Sequence, residues 1–146
     1  MGVSAGLIRY PADVFDRVRS AGTFYPPNGQ DIAHCHLDRS WDELHPALAM
    51  FGLPLGLALS GDYGHEGGLQ HFGWGDSDSD HYLGFVSPPL VVEIAACLHG
   101  LAFEQLVLKL TEPTRGTDYL YPRFNSLVAF YSAASSEGNC IFIHVA

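Results

Sequence analysis

The stretch Cys140-Ile141-Phe142-Ile143-His144-Val145 decides how this chain is read. It is short, dominated by Ile, Phe and Val, and set off by Gly138, which makes it a strand rather than a helix. A counterpart stands near the other end, where the mostly apolar run Val3 to Tyr10 stops at Pro11 and has the length of a strand. Two such strands with helical patterns between them predict an α+β fold: a small sheet pairing the N- and C-terminal strands, covered by several helices.

The segments in between supply those helices. Over Ala12 to Ser20, Val14, Phe15 and Val18 recur at helical spacing and Gly22 follows as a stop. Thr23 to Gln30, with Pro26, Pro27, Asn28 and Gly29, is turn chemistry. Ser40-x-x-Glu43 has the spacing of a capping box, and Trp41, Leu44 and Leu48 then share one helical face. Pro54 to Ser60 has room for one or two helical turns, whereas glycine-rich Gly61 to Asp80 reads as loop. His81 to Val86 suits a short strand. Pro88-Pro89 then opens a helix whose buried face is Leu90, Ile94, Cys97, Leu98 and Leu101. Gly100 allows a bend before a second helical piece, Phe103 to Leu110. Arg115 to Pro122 reads as a connection, and Asn125 to Ser136 as the last helix, stopped by Gly138. No repeat is visible, and one domain over residues 1–146 is the expectation.

Composition narrows the function classes. Hydrophobic residues make up 47% of the 146 and charged residues 16%, the balance of a folded globular chain. Seven Lys plus Arg against sixteen Asp plus Glu give a formal charge of −9. A field of that sign repels phosphate backbones and anionic membrane surfaces, so neither nucleic acid nor membrane is expected as a partner. The same field favours encounter with a basic protein partner. Three cysteines, Cys35, Cys97 and Cys140, contain no CxxC pair, which points to reduced thiols and a cytoplasmic location, with Cys97 and Cys140 in the core. Met1 to Tyr10 has no basic n-region, and no apolar run approaches the ~20 residues of a membrane helix. Gly6 stands where a myristoylation signal wants Ser or Thr.

Leu37-Asp38-Arg39-Ser40-Trp41-Asp42-Glu43-Leu44-His45 resembles the Leu-Asp-basic-x-Trp-x-x-Leu-His helix opening of the YfbM-like family, bacterial proteins of unknown function. The order of Met1-Gly2, Gly84-Phe85, Tyr121-Pro122 and Gly138-Asn139 is similar too. The resemblance implies a compact bacterial α+β domain and implies no reaction. It also implies a candidate pocket of Asp38, Arg39, Trp41 and His45; the alternative for His45 is a buried imidazole satisfied by a backbone carbonyl. The glycine-rich Gly61 to Gly75 stretch and the pair His34 and His36 depart from the family pattern.

The sharpest chemical pattern is His34-x-His36-x-Asp38. Alternating imidazoles on an extended segment point the same way and can share a metal, with Asp38 as ligand or partner. It resembles the start of the His-x-His-x-Asp-His motif of metallo-β-lactamase-type hydrolases, but Arg39 replaces the final His and the chain is far shorter than that fold. The bland reading has Asp38 capping the Trp41 helix and both histidines exposed. Asp76, Asp78 and Asp80 are spaced as in half of an EF-hand loop, yet His81 replaces its Gly and Ser87 its Glu, which leaves an acidic solvated loop. His65, Glu66, His71, Trp74 and Asp76, interleaved with glycines, form a candidate recognition loop or an idle surface one.

No G-x-S-x-G, no nucleophilic Cys context and no Gly-Lys-Ser/Thr phosphate loop is present, so no cofactor is expected. Two functions remain. One is a small acidic protein-binding module, with an immunity-type role as its concrete version. The other is a metal-assisted small-molecule hydrolase using His34, His36 and Asp38, with His45 or His71 as general base.

Overall fold

The computed structural model describes residues 4–21, 29–66, 82–110 and 116–146. Its centre is an antiparallel sheet built from β1 (Ala5–Tyr10), β2 (Ala33–Asp38), β3 (Tyr63–Glu66), β4 (Tyr82–Val86) and β5 (Cys140–Val145), in the order β2-β1-β5-β4-β3. The terminal strands pair as expected, with Leu7 opposite Ile143 and Ile8 opposite Phe142. Ser4 and Ala146 extend this ladder with reciprocal backbone bonds of 2.8 and 2.9 Å.

Because side chains alternate along a strand, the two faces of the sheet carry different sequences. One presents Leu7, Cys35, Leu37, Val86, Ile141 and Ile143 to the main core. There they meet α2 (Trp41–Ala49), α3 (Pro88–His99), α4 (Phe103–Val107) and α5 (Thr117–Glu137). The other face presents Ile8, Tyr10, Leu83, Phe85 and Phe142 to Val14, Phe15 and Val18 of α1 (Ala12–Ala21). Buried Arg9, on the main-core face, bonds Glu137 at 2.8 Å and Asn139 at 2.9 Å, tying β1 to the end of α5. Gly138 ends that helix at φ +70°, the left-handed stop that glycine adopts without strain.

Several expectations need correction. Ser40 and Glu43 do not make a capping box: the Ser40 hydroxyl donates to Leu37 O at 2.6 Å, and the Ser40 carbonyl accepts from the Glu43 and Leu44 amides. Part of Gly61 to Asp80 is strand rather than loop, since β3 pairs with β4 from Tyr63 opposite Phe85 to Glu66 opposite Tyr82. An edge strand held by backbone bonds and carrying Gly64 has no apolar alternation to read.

The last helix starts at Thr117, inside the expected connection, and runs through Pro122. Leu120, Phe124 and Leu127 form one buried stripe, and this burial outweighs the one helical bond that Pro122 cannot donate. Cys97 is exposed, because the buried stripe of α3 is Leu90, Val91, Ile94 and Leu98. The short helical stretch expected over Pro54 to Ser60 is a 3₁₀ turn, Leu55–Leu57. Most of the turn expected at Thr23 to Gln30 lies outside the described residues.

Candidate functional site

His34 and His36 alternate along edge strand β2, and their rings lie side by side, 6.1 Å between centroids and 20° from parallel. His34 Nε2 is 2.9 Å from Asp31 Oδ2. Across the sheet His36 stands opposite Gly6, which in turn stands opposite His144 of β5. A Cβ at position 6 would lie 2.6 Å from His144 Nε2, so the His144 ring covers the space that glycine leaves. Three imidazoles thus share the α1 face of the sheet. His144 was missed in the sequence, although the alternation of Cys140, Phe142 and His144 is its signal.

Asp38 does not join them. The register of β1 and β2 slips between Ala5 and Gly6, Asp38 adopts φ +52°, and its carboxylate accepts from Arg123 Nη2 of α5 at 3.0 Å. The bulge sends the third residue of the expected metal set to the opposite side of the sheet, and Asp38 does not cap α2 either. Among the described residues no group of three or more His, Cys, Asp or Glu is arranged to hold a metal ion.

The rest of the Asp38 to His45 segment divides between two neighbours. The Arg39 amide donates to the Tyr119 hydroxyl at 3.3 Å, and the Arg123 guanidinium lies 3.7 Å over the Tyr119 ring. Further along, the Trp41 indole donates to Leu59 O at 3.0 Å and stacks on His45, 4.7 Å between centroids and 17° from parallel. One turn of helix places residues 41 and 45 over each other, so the stack follows from local geometry. His45 Nδ1 is buried without a hydrogen-bond partner among the described residues, so the backbone carbonyl expected for it is not found. Tyr119 and Arg123, which complete this corner, carry no signal in the sequence.

The family model described as domain of unknown function DUF1877 matches residues 5–144. The chain belongs to this family. Among solved structures, YfbM from Escherichia coli, titled a protein of unknown function, is 15% identical with a TM-score of 0.63, and the match covers 98% of this chain and 99% of that one. At that identity the likeness is one of fold. No curated protein matches.

In this DUF1877 domain the candidate recognition loop is only partly described. His65 and Glu66 sit on β3 opposite Leu83 and Tyr82, while His71, Trp74 and Asp76, with the rest of the Asp76 to Asp80 run, lie outside the described residues. Burial pushes the Cys35 thiol up to about 11 and the Cys140 thiol to about 12, so both are protonated and unreactive at neutral pH. No helix among the described residues is long and apolar enough to cross a membrane.

Burial also lowers the pKa of His45, and that of His144, where the charges of His34 and His36 add to the effect. The unfolded chain therefore takes up protons near 6.5 that the folded chain refuses, and stability falls as pH drops through that value until the lowered native pKa values are passed. The apparent melting temperature at about pH 5.5 is expected below that at about pH 7.5, with the gap narrowed by His45→Gln/His144→Gln. Equal melting temperatures at the two pH values contradict this.

Proposed function

We propose that this DUF1877 domain is a small acidic protein-binding module whose partner presents a basic surface, in the manner of an immunity protein covering a cationic target. The observation that carries this reading is how the few cations are used. Of the seven basic side chains, Arg9, Arg17, Arg19 and Arg123 already pair with the chain's own Glu137, Asp13, Asp16 and Asp38, at 2.8, 3.0, 3.8 and 3.0 Å. Little positive charge remains to bridge to an acidic partner, while the formal charge is −9 and Asp31, Asp62, Glu93, Glu104 and Asp118 are among the exposed carboxylates. Such a field raises the rate of meeting a basic partner and penalises acidic ones.

Affinity capture from the native host at low salt, followed by binding of the purified captured protein at low and high salt, tests it. A basic protein whose affinity drops as salt rises is the expected result. Capture of no specific partner, or binding indifferent to salt, overturns the reading. For the immunity-type version, co-production is expected to relieve the toxicity of the partner.

A further inference from the structure

Between α4 and the first turns of α5 lies an open depression of about 370 Å³ lined by Phe103, Glu104, Thr117, Asp118, Tyr121 and Pro122. Its floor is aromatic. Phe103 packs edge-on against Tyr121, 5.0 Å between centroids and 74° apart, and is backed by Phe124 at 5.6 Å. Phe103 is half-buried, whereas Tyr121 is 49% exposed and keeps ring surface open to the depression. Glu104 and Asp118 stand at the rim on different helices, both exposed, and neither has an ion-pair partner among the described residues.

An exposed aromatic ring between two carboxylates forms the environment that a guanidinium recognises, because the planar cation stacks on a ring while its N–H groups reach carboxylate oxygens. The partial positive charge at the N-terminus of α5, about half a unit, is outweighed by the two carboxylates. We infer that this notch receives an arginine side chain from the basic face of a protein partner. The inference rests on the protein-binding reading above and adds to it the place and the chemistry of contact.

Titrating isotope-labelled protein with a capped tri-arginine peptide, against tri-lysine and uncharged tri-citrulline controls, tests the site by NMR. Shifts are expected to concentrate on Phe103, Glu104, Asp118 and Tyr121, to be weaker with tri-lysine, and to vanish with tri-citrulline. Glu104→Gln/Asp118→Asn is expected to weaken the peptide about tenfold and Tyr121→Leu about threefold. All three side chains are exposed, so these variants keep the fold. Shifts spread over the whole acidic surface, or an affinity unchanged in the double variant, overturn the notch. A native partner that binds the double variant at full strength also overturns it while the protein-binding reading stands. Peptide in the notch with no native partner captured leaves the site standing and removes the functional reading.

Discussion

Phe142→Ala lowers the stability of the folded chain by about 4 kcal/mol and loosens α1 ahead of every other helix. Phe142 is fully buried on the central strand β5, with its ring 5.0 Å from that of Phe85. The cluster it anchors is the smaller of the two cores: Ile8, Tyr10, Leu83, Phe85 and Cys140 from the sheet, Val14, Phe15 and Val18 from α1. A ten-residue helix is marginal in water on its own, so α1 depends on this apolar contact. Ile143→Ala, one residue along and facing the main core, is expected to cost about 3 kcal/mol without releasing α1. Urea unfolding gives the size of each loss and amide exchange its location. Equal protection of α1 and α3 in Phe142→Ala would show that the two faces of the sheet do not unfold separately.

The second large effect concerns two glycines where residues 60 to 62 cross β4. A Cβ on Gly84 would stand 2.3 Å from Ser60 O, and one on Gly61 would stand 2.2 Å from Phe85 O, both backbone atoms that cannot swing aside. The approach is held close by the Asp62 amide donating to Phe85 O at 3.0 Å and the Tyr82 hydroxyl donating to Ser60 O at 2.6 Å. The Asp62 carboxylate adds the Ser87 amide, at 3.0 Å, and the Ser87 hydroxyl, just ahead of α3. Gly61 also has φ +79°, so its substitution adds backbone strain to the clash. Gly84→Ala is expected to cost about 3 kcal/mol and Gly61→Ala about 4 kcal/mol. Gly138→Ala is the control: φ is +70° but nothing lies within 4 Å, so about 1 kcal/mol is expected. Thermal unfolding of the three variants separates clash from dihedral strain, and a Gly84→Ala protein as stable as Gly138→Ala would remove the steric argument.

Local chemistry was enough to identify most elements. The terminal strands, the Leu90, Ile94 and Leu98 stripe of α3 and the Gly138 stop all follow from the period of apolar residues or the backbone freedom of one residue. The α+β class came from the same patterns. What they left undecided was every question of partnership. Sheet order depends on which strands meet, and an edge strand such as β3 is recruited by backbone bonds that leave no mark on composition. Burial of Leu120, Phe124 and Leu127 carried α5 back past Pro122 to Thr117. A single register slip turned Asp38 from the imidazoles to Arg123, and the pairing of β1 with both β2 and β5 brought His144 into their row instead. Side-chain period is a property of the nearest few residues and can be read along the chain. Register, burial and charge pairing join residues far apart in the chain, 85 positions for Arg123 with Asp38 and 128 for Arg9 with Glu137, and only the closed fold brings those together.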